Sequence, residues 1–380
     1  LTHWDELYLG DDVSPPHLVV ASATSWSPPS YAYDVQLPPT MVIKPAPAVN
    51  EAIASSEFFF APLQNRNGQL ISVSGSWDTV RYQRLETMVE ALTRPDAMGE
   101  CELTRERKLL QNRDAERGKI LLITGSYFET RWVADCLSRT LGNDSVAWLV
   151  PDGSGLNVQQ FHTEPGGERV PRGQVSTFAK LKAWILVAPL MALERGHNIV
   201  LDDGRAAIGC IQMLIRPHPR PDALEPYIHL LNRWLIETYP KIQHGNPVTE
   251  IKELRSRAAN LWTHLMAYPL YYRQLPEKFD KENLPLRSSF AWSLIVPLIQ
   301  LIGRTTRGGV ATRVFFRDVA FAEATAAGNP TKETASTSIL VACEQELAAL
   351  CTHSEKGTKA LAMALFQPLW TAFKNRQVIL

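Results

Sequence analysis

Two arginines stand three residues apart in Gln300-Leu-Ile-Gly-Arg-Thr-Thr-Arg307, directly behind the apolar run Trp292 to Ile302. Residues at that spacing share a helix face, so the Arg304 and Arg307 guanidiniums can reach one anionic group. A guanidinium is planar, forked and permanently charged, which suits it to offset charge developing on a transferring phosphoryl group. A basic last turn closed by Gly308-Gly309 also describes an ordinary helix C-terminus. The string therefore needs company before it means chemistry.

Company comes from three further segments, each next to an apolar run. Leu190-Met-Ala-Leu-Glu-Arg-Gly-His-Asn198 follows Ile185 to Ala188; Gly196 permits close backbone approach, and Asn198 can bond a phosphate or ribose. Gly118-Lys-Ile-Leu-Leu-Ile-Thr-Gly-Ser-Tyr127 ends in a hydroxyl-rich turn, and Ser22-Ala23-Thr24 follows the run Leu18 to Ala21. A proline-rich string, Ile215-Arg-Pro-His-Pro-Arg-Pro-Asp222, closes the set. Other chemistries fail on spacing. His162-x-Glu164 has no following P-C-x-x-C, Asp5-Glu6 has no apolar strand before it, and neither H-E-x-x-H nor G-x-S-x-G occurs. No G-x-x-x-x-G-K-[ST] loop exists, so the chain lacks a phosphate cradle and the hydroxyl that would hold Mg²⁺.

The elements that must position these residues alternate. Apolar runs at 119–124, 145–150, 183–188, 208–215 and 312–317 read as strands, with a helix over Tyr127 to Leu141. Alternation of this kind predicts crossover units, a parallel sheet and helices on both faces. Residues 1–48 are expected to be one strand at 17–23 and then an extended linker, because their prolines disfavour helix. Residues 49–110 are expected to connect this to an α/β lobe over 111–331, with a glycine-rich mobile loop at 151–173. A helical insertion over 222–285 and a helical tail over 332–380 complete the plan. Within the insertion, Trp262 to Arg273 interleaves rings with cations; core packing is the preferred reading, base stacking the other.

Composition sets bounds. The 380 residues are 45% hydrophobic, enough for a sizeable core, and carry a formal net charge of zero, so any grip on a polyanion must be local. The five cysteines show no C-x-x-C pair and are expected to be reduced core thiols in a cytoplasmic protein. No apolar run approaches membrane-spanning length, and the start at Leu1 suggests a piece of something longer.

Taken in order, the segments over about 17–320 resemble the second RecA-like lobe of a DinG/XPD-type superfamily 2 helicase. Gln300 to Arg307 resembles its motif VI, 190–198 its motif V, Ser22 to Thr24 its motif III, and 215–222 the proline-rich segment of that branch. Glu194 to Asn198 and Gly303 to Gly309 are also similar to helicases that accompany prokaryotic PIWI–endonuclease defence systems. The resemblance implies a RecA-like α/β fold. It gives Arg304, Arg307 and Gln300 the catalytic arginine-finger role, Glu194, Gly196, Asn198 and Gly303 nucleotide contacts, and Ser126, Tyr127 and Thr24 strand contacts. The family's usual Asp is replaced by Asn198 or a neighbour. ATP and Mg²⁺ would be bound jointly with a P-loop-bearing first lobe, and single-stranded nucleic acid, DNA ahead of RNA, would be the partner alongside defence-system proteins. Two other readings stay open: a non-catalytic nucleic-acid-binding scaffold with a degenerate RecA fold, and a Rossmann-type transferase using 151–173.

Overall fold

The computed structural model describes residues 24–35, 39–153, 166–193, 198–217, 224–238, 247–267 and 286–380. The strand expected at 17–23, with Ser22 and Ala23, lies outside them. So do Glu194 and Gly196, His162 and Glu164, and the aromatic stretch from Tyr268 to Arg273.

Eight strands form one all-parallel sheet in the order β4-β3-β5-β2-β6-β7-β1-β8, where β1 is Glu57–Phe60, β2 Lys119–Thr124, β3 Val146–Val150, β4 Glu168–Pro171, β5 Ile185–Pro189, β6 Ile208–Met213, β7 Arg313–Phe316 and β8 Gln377–Val378. The expected parallel α/β architecture is what forms. Parallel strands covered on both faces read as continuous apolar runs, which is how 119–124 and 208–213 are written. Successive side chains still take opposite faces. Phe59, Ile120, Leu122, Trp148, Ile185, Val187, Cys210 and Phe315 point into one buried cluster. Phe58 and Phe316 point the other way, Phe58 edge-on to Phe373 at 5.1 Å between ring centres.

The first face is covered by α2 (Asp78–Thr93), α3 (Glu102–Arg113) and α4 (Tyr127–Leu141), which supply Leu85, Met88, Leu103, Leu110, Val133 and Leu137 to the cluster. The helix α11 (Lys356–Lys374) carries Phe373 onto the second face, with α10 (Ile339–Cys351) and α1 (Pro47–Ala54) packed on α11. Short helices α5 (Leu190–Leu193) and α9 (Glu323–Ala326) follow β5 and β7. All five cysteines are free and buried. Among the described residues no helix is long and apolar enough to cross a membrane.

Contacts divide the chain into two compact units, residues 44–217 with 297–380, and residues 1–43 with 218–296. The first holds the sheet. In the second, α6 (Glu225–Thr238) packs on α7 (Pro247–Ala267), and Arg233 joins Asp34 at 3.1 Å and Glu237 at 2.6 Å. The insertion is helical as expected. Residues 24–35, expected to be extended linker, are turns tied to it through Asp34. The helix α8 (Leu286–Thr305) groups with this unit up to Val296 and with the sheet unit beyond.

Three short strands depart from the expectation. The connecting segment contributes β1, which pairs with β7 and β8. The loop expected at 151–173 contains the edge strand β4, and the helical tail ends in β8. Buried ions anchor the β1 side: Arg313 pairs with Glu57 and Glu106, and Arg317, 3% exposed, pairs with Glu102 and bonds Gln212 at 2.6 Å. Burial raises the Glu106 carboxyl above its ordinary range, against the pull of Arg313.

Candidate functional site

Because every strand points the same way, the sheet has an amino edge and a carboxyl edge, and the candidate residues divide between them. Ser126 and Tyr127 stand at the carboxyl edge, where β2 hands over to α4. Ser126 is the helix N-cap: its hydroxyl accepts from the Glu129 amide at 3.2 Å, as S-x-x-E sequences favour. The Glu129 carboxylate accepts from the Gly125 amide at 2.7 Å and pairs with Arg81 at 2.6 Å. Tyr127 is half-buried; burial raises its phenol above the ordinary range, opposed by Arg172 and helped by Asp152. Asp152 in turn accepts from the Gly173 amide at 2.7 Å, so the ends of β2, β3 and β4 meet here. Thr24 belongs to the other unit, where its carbonyl accepts from Ser27 at 2.7 Å.

Strand order reverses between β2 and β6, the place where open α/β sheets seat a ligand at the carboxyl ends. Here residues 71–76 occupy it. The Arg216 amide donates to Ser74 at 2.9 Å, Ser74 donates to the buried Asp318 at 2.6 Å, and Arg81 donates to the Val73 carbonyl at 3.2 Å. The chain's own loop is thus bonded to the segments that follow β6 and β7 at this edge.

The arginine pair lies at the opposite, amino edge. α8 ends at Thr305, so Arg304 sits in its last turn while Arg307 stands beyond it, in a turn through Gly308 and Gly309. The shared helix face expected of the pair is thus only partly realised. Still, Gln300, Gly303 and Arg304 are half-buried and Arg307 exposed, whereas Leu301, Ile302, Thr305 and Thr306 are buried. Gln300, Gly303 and Arg304 form one stripe of α8 turned off the core, at i, i+3 and i+4, and Arg307 stands exposed just past the helix end. The Arg307 guanidinium has no partner among the described residues.

Gly303 is informative. Among the described residues a Cβ built there meets nothing within 4 Å, and its backbone is ordinary helix. Glycine inside a helix costs about 1 kcal/mol relative to alanine, and no contact among the described residues calls for it. It leaves a notch beside Arg304. Gly308 and Gly309 differ, because both adopt positive φ (77° and 73°), which other residues rarely do. A Cβ on Gly308 would lie 2.8 Å from Arg205, and one on Gly309 would lie 3.0 Å from Ala48.

Asn198 reaches the same edge. Beyond it the chain forms a tight hairpin back to β6: the Ala207 amide donates to Ile199 at 3.0 Å and the Leu201 amide to Arg205 at 2.8 Å. The Ala206 amide donates to the Arg307 carbonyl at 3.0 Å. The turn bearing Arg307 and the hairpin bearing Asn198 are therefore hydrogen-bonded neighbours. The segments that carry Arg307 and Asn198 are brought together, and Ser126 and Tyr127 are placed at the far edge.

Two residues here escape sequence reasoning. Arg117, 8% exposed, donates to four backbone carbonyls around the turn and hairpin. Arg205 walls Gly308 and pairs with Asp114, Glu116 and Asp203. Both read in sequence as solvated charge. Gly209 did leave a signal, as an isolated glycine in a strand: its Cβ would lie 2.5 Å from the Arg117 carbonyl, at a register shift between β2 and β6. No protein family profile matches this chain, and no curated protein matches it either.

Proposed function

We propose that the chain is the second motor lobe of an ATP-dependent nucleic-acid helicase or translocase, inactive without a first lobe. The observation that carries this is the α8 stripe of Gln300, Gly303 and Arg304, off the core, followed by the exposed Arg307, whose carbonyl is bonded to the Asn198 hairpin. A position without a Cβ, next to Arg304 and four residues before Arg307, fits the outer side of a triphosphate tail. Arg304 and Arg307 would face the γ-phosphate, and Asn198 the nucleotide beside them. The sequence has no P-loop, so the cradle for the other phosphates and for Mg²⁺ must come from the first lobe. The metal, when bound there, neutralises charge on the phosphate oxygens.

Separation of the two candidate sets supports the same reading. A strand lying across Ser126 and Tyr127 would be held at the edge opposite the arginines, so nucleotide and polymer would not compete. DNA in single-stranded form is the proposed polymer, and defence-system proteins are proposed partners on the resemblance alone.

Strand-stimulated ATP hydrolysis by the full-length protein is the test. Arg307→Ala is expected to lower kcat by about 10³-fold or more, the scale of an arginine finger, with the substrate KM little changed. Wild-type turnover in that variant would sink the finger role. The scaffold reading predicts instead strand binding with no hydrolysis by the wild-type protein.

A further inference from the structure

We propose that Arg117 is the positioning residue of this site, a single buried guanidinium that fixes both ends of the turn presenting Arg307. This rests on the motor-lobe reading for its catalytic consequence, and on geometry alone for its structural one.

The Arg117 Nη2 donates to the Thr305 carbonyl at 3.0 Å, and its Nη1 donates to the Ala311 carbonyl at 2.9 Å. Thr305 is the last residue of α8 and Ala311 lies two residues before β7, so Thr306 to Val310 are strung between two arms of one planar group. On its other side the same guanidinium donates from Nε to Ala206 at 2.9 Å and from Nη2 to Ile208 at 3.1 Å. Those carbonyls flank the return of the Asn198 hairpin into β6. Arg117 is thus the common fastening of the two segments that carry the candidate nucleotide contacts.

Each feature of the residue suits that task. Four of the five guanidinium N–H groups are needed, in a rigid plane, which only arginine provides. The cation sits against the unsatisfied carbonyl end of α8, where positive charge is favoured. Its own backbone is brought in by Gly209, since any Cβ there would collide with the Arg117 carbonyl. Two further walls confine the turn, Arg205 against Gly308 and Ala48 against Gly309. Arg307 then has a fixed base and a head with no partner among the described residues, the arrangement a group needs if it is to meet a ligand supplied from outside the chain.

Lysine keeps the charge but has a tetrahedral ammonium with three donors, so Arg117→Lys must release at least one carbonyl. The first readout is hydrogen exchange. Faster exchange is expected at the Ala206 amide and across 305–311, with β2, β3 and α4 unchanged; an unchanged or uniformly raised pattern would overturn the positioning role. The second is a double-mutant cycle on strand-stimulated ATP hydrolysis. A misplaced finger loses about ten- to a hundredfold in kcat, so Arg117→Lys should do so with KM held. In an Arg307→Ala background the same change should have almost no further effect. Additive losses, or full turnover in Arg117→Lys, would refute the inference. No loss in Arg307→Ala itself would instead refute the finger role, and no strand-stimulated hydrolysis by the wild-type protein would refute the motor-lobe reading. If Arg117→Lys does not fold, Arg205→Ala, which opens the wall at Gly308 and releases Asp114, Glu116 and Asp203 from that partner, goes through the same two measurements, with the same local exchange pattern and non-additivity expected.

Discussion

Gly303→Ala separates what the fold needs from what a ligand needs. The residue lies inside α8, its φ is not positive, and a Cβ there meets nothing within 4 Å among the described residues. Substitution relieves the unfolded chain of glycine's extra freedom and adds no clash, so stability should rise by about 0.5–1 kcal/mol. In a unit of this size that is a Tm increase of roughly 1–4 °C. The notch, however, is closed by the added methyl. If a phosphate approaches α8 there, strand-stimulated ATP hydrolysis should fall, by about ten- to a hundredfold for a displacement of roughly 1 Å. The assay is a thermal melt and a steady-state titration on the same preparation. A fall in Tm would show that some contact inside the chain requires the glycine. Higher Tm with undiminished turnover would show that nothing enters the notch. Only opposed changes, steadier and slower, agree with the site as drawn.

Two other predictions bear on the scaffold. Gly209→Ala places a Cβ 2.5 Å from the Arg117 carbonyl and 2.8 Å from Leu110, so β2 and α3 must give way; overpacking of this kind costs about 1–3 kcal/mol, read as a lower urea midpoint, and an unchanged midpoint would contradict the close approach. Lys119 donates to the Leu181 and Ala183 carbonyls at 2.8 Å, and burial, with Arg107 adding and Glu168 opposing, pulls its pKa down to about 8. Between that value and the unfolded one of about 10.4, the unfolded chain binds more protons, so folding is favoured as pH rises through the window. The stability of wild type relative to Lys119→Met should therefore climb from about pH 8 to about pH 10; a flat or falling difference would mean that the ammonium is not penalised by burial.

Much of the sheet was legible because its central strands are long apolar runs with glycine or proline at their ends, and α4 announces itself through Ser126 and Glu129. What was missed is short. β1 has four residues, β4 is four residues ending in Pro171, and β8 has two, too few for any periodicity to register. Pairing partners far away in sequence make them strands. The site was legible in its chemical groups and illegible in its support. Gln300 to Arg307 carries a spacing that can be read, but Arg117 lies in Asn-Arg-Asp-Ala-Glu-Arg, which reads as a solvated loop. Only the closing of β6 and β7 around it turns a surface-like charge into a buried one. The stripe itself follows from helical spacing, whereas the end of α8 at Thr305 depends on where two glycines allow the chain to reverse.

The Arg117 bonds also fix a sequence of events in time. Its acceptors lie 89, 91, 188 and 194 residues further along the chain. At about 5–20 residues per second, a ribosome that has made Arg117 still needs roughly 10–40 seconds to make Ala311. Until Thr305 is made the guanidinium has half its acceptors at most, and the turn bearing Arg307 has no fastening to it. A nascent chain can thus shape most of its sheet well before it is able to present an arginine to anything.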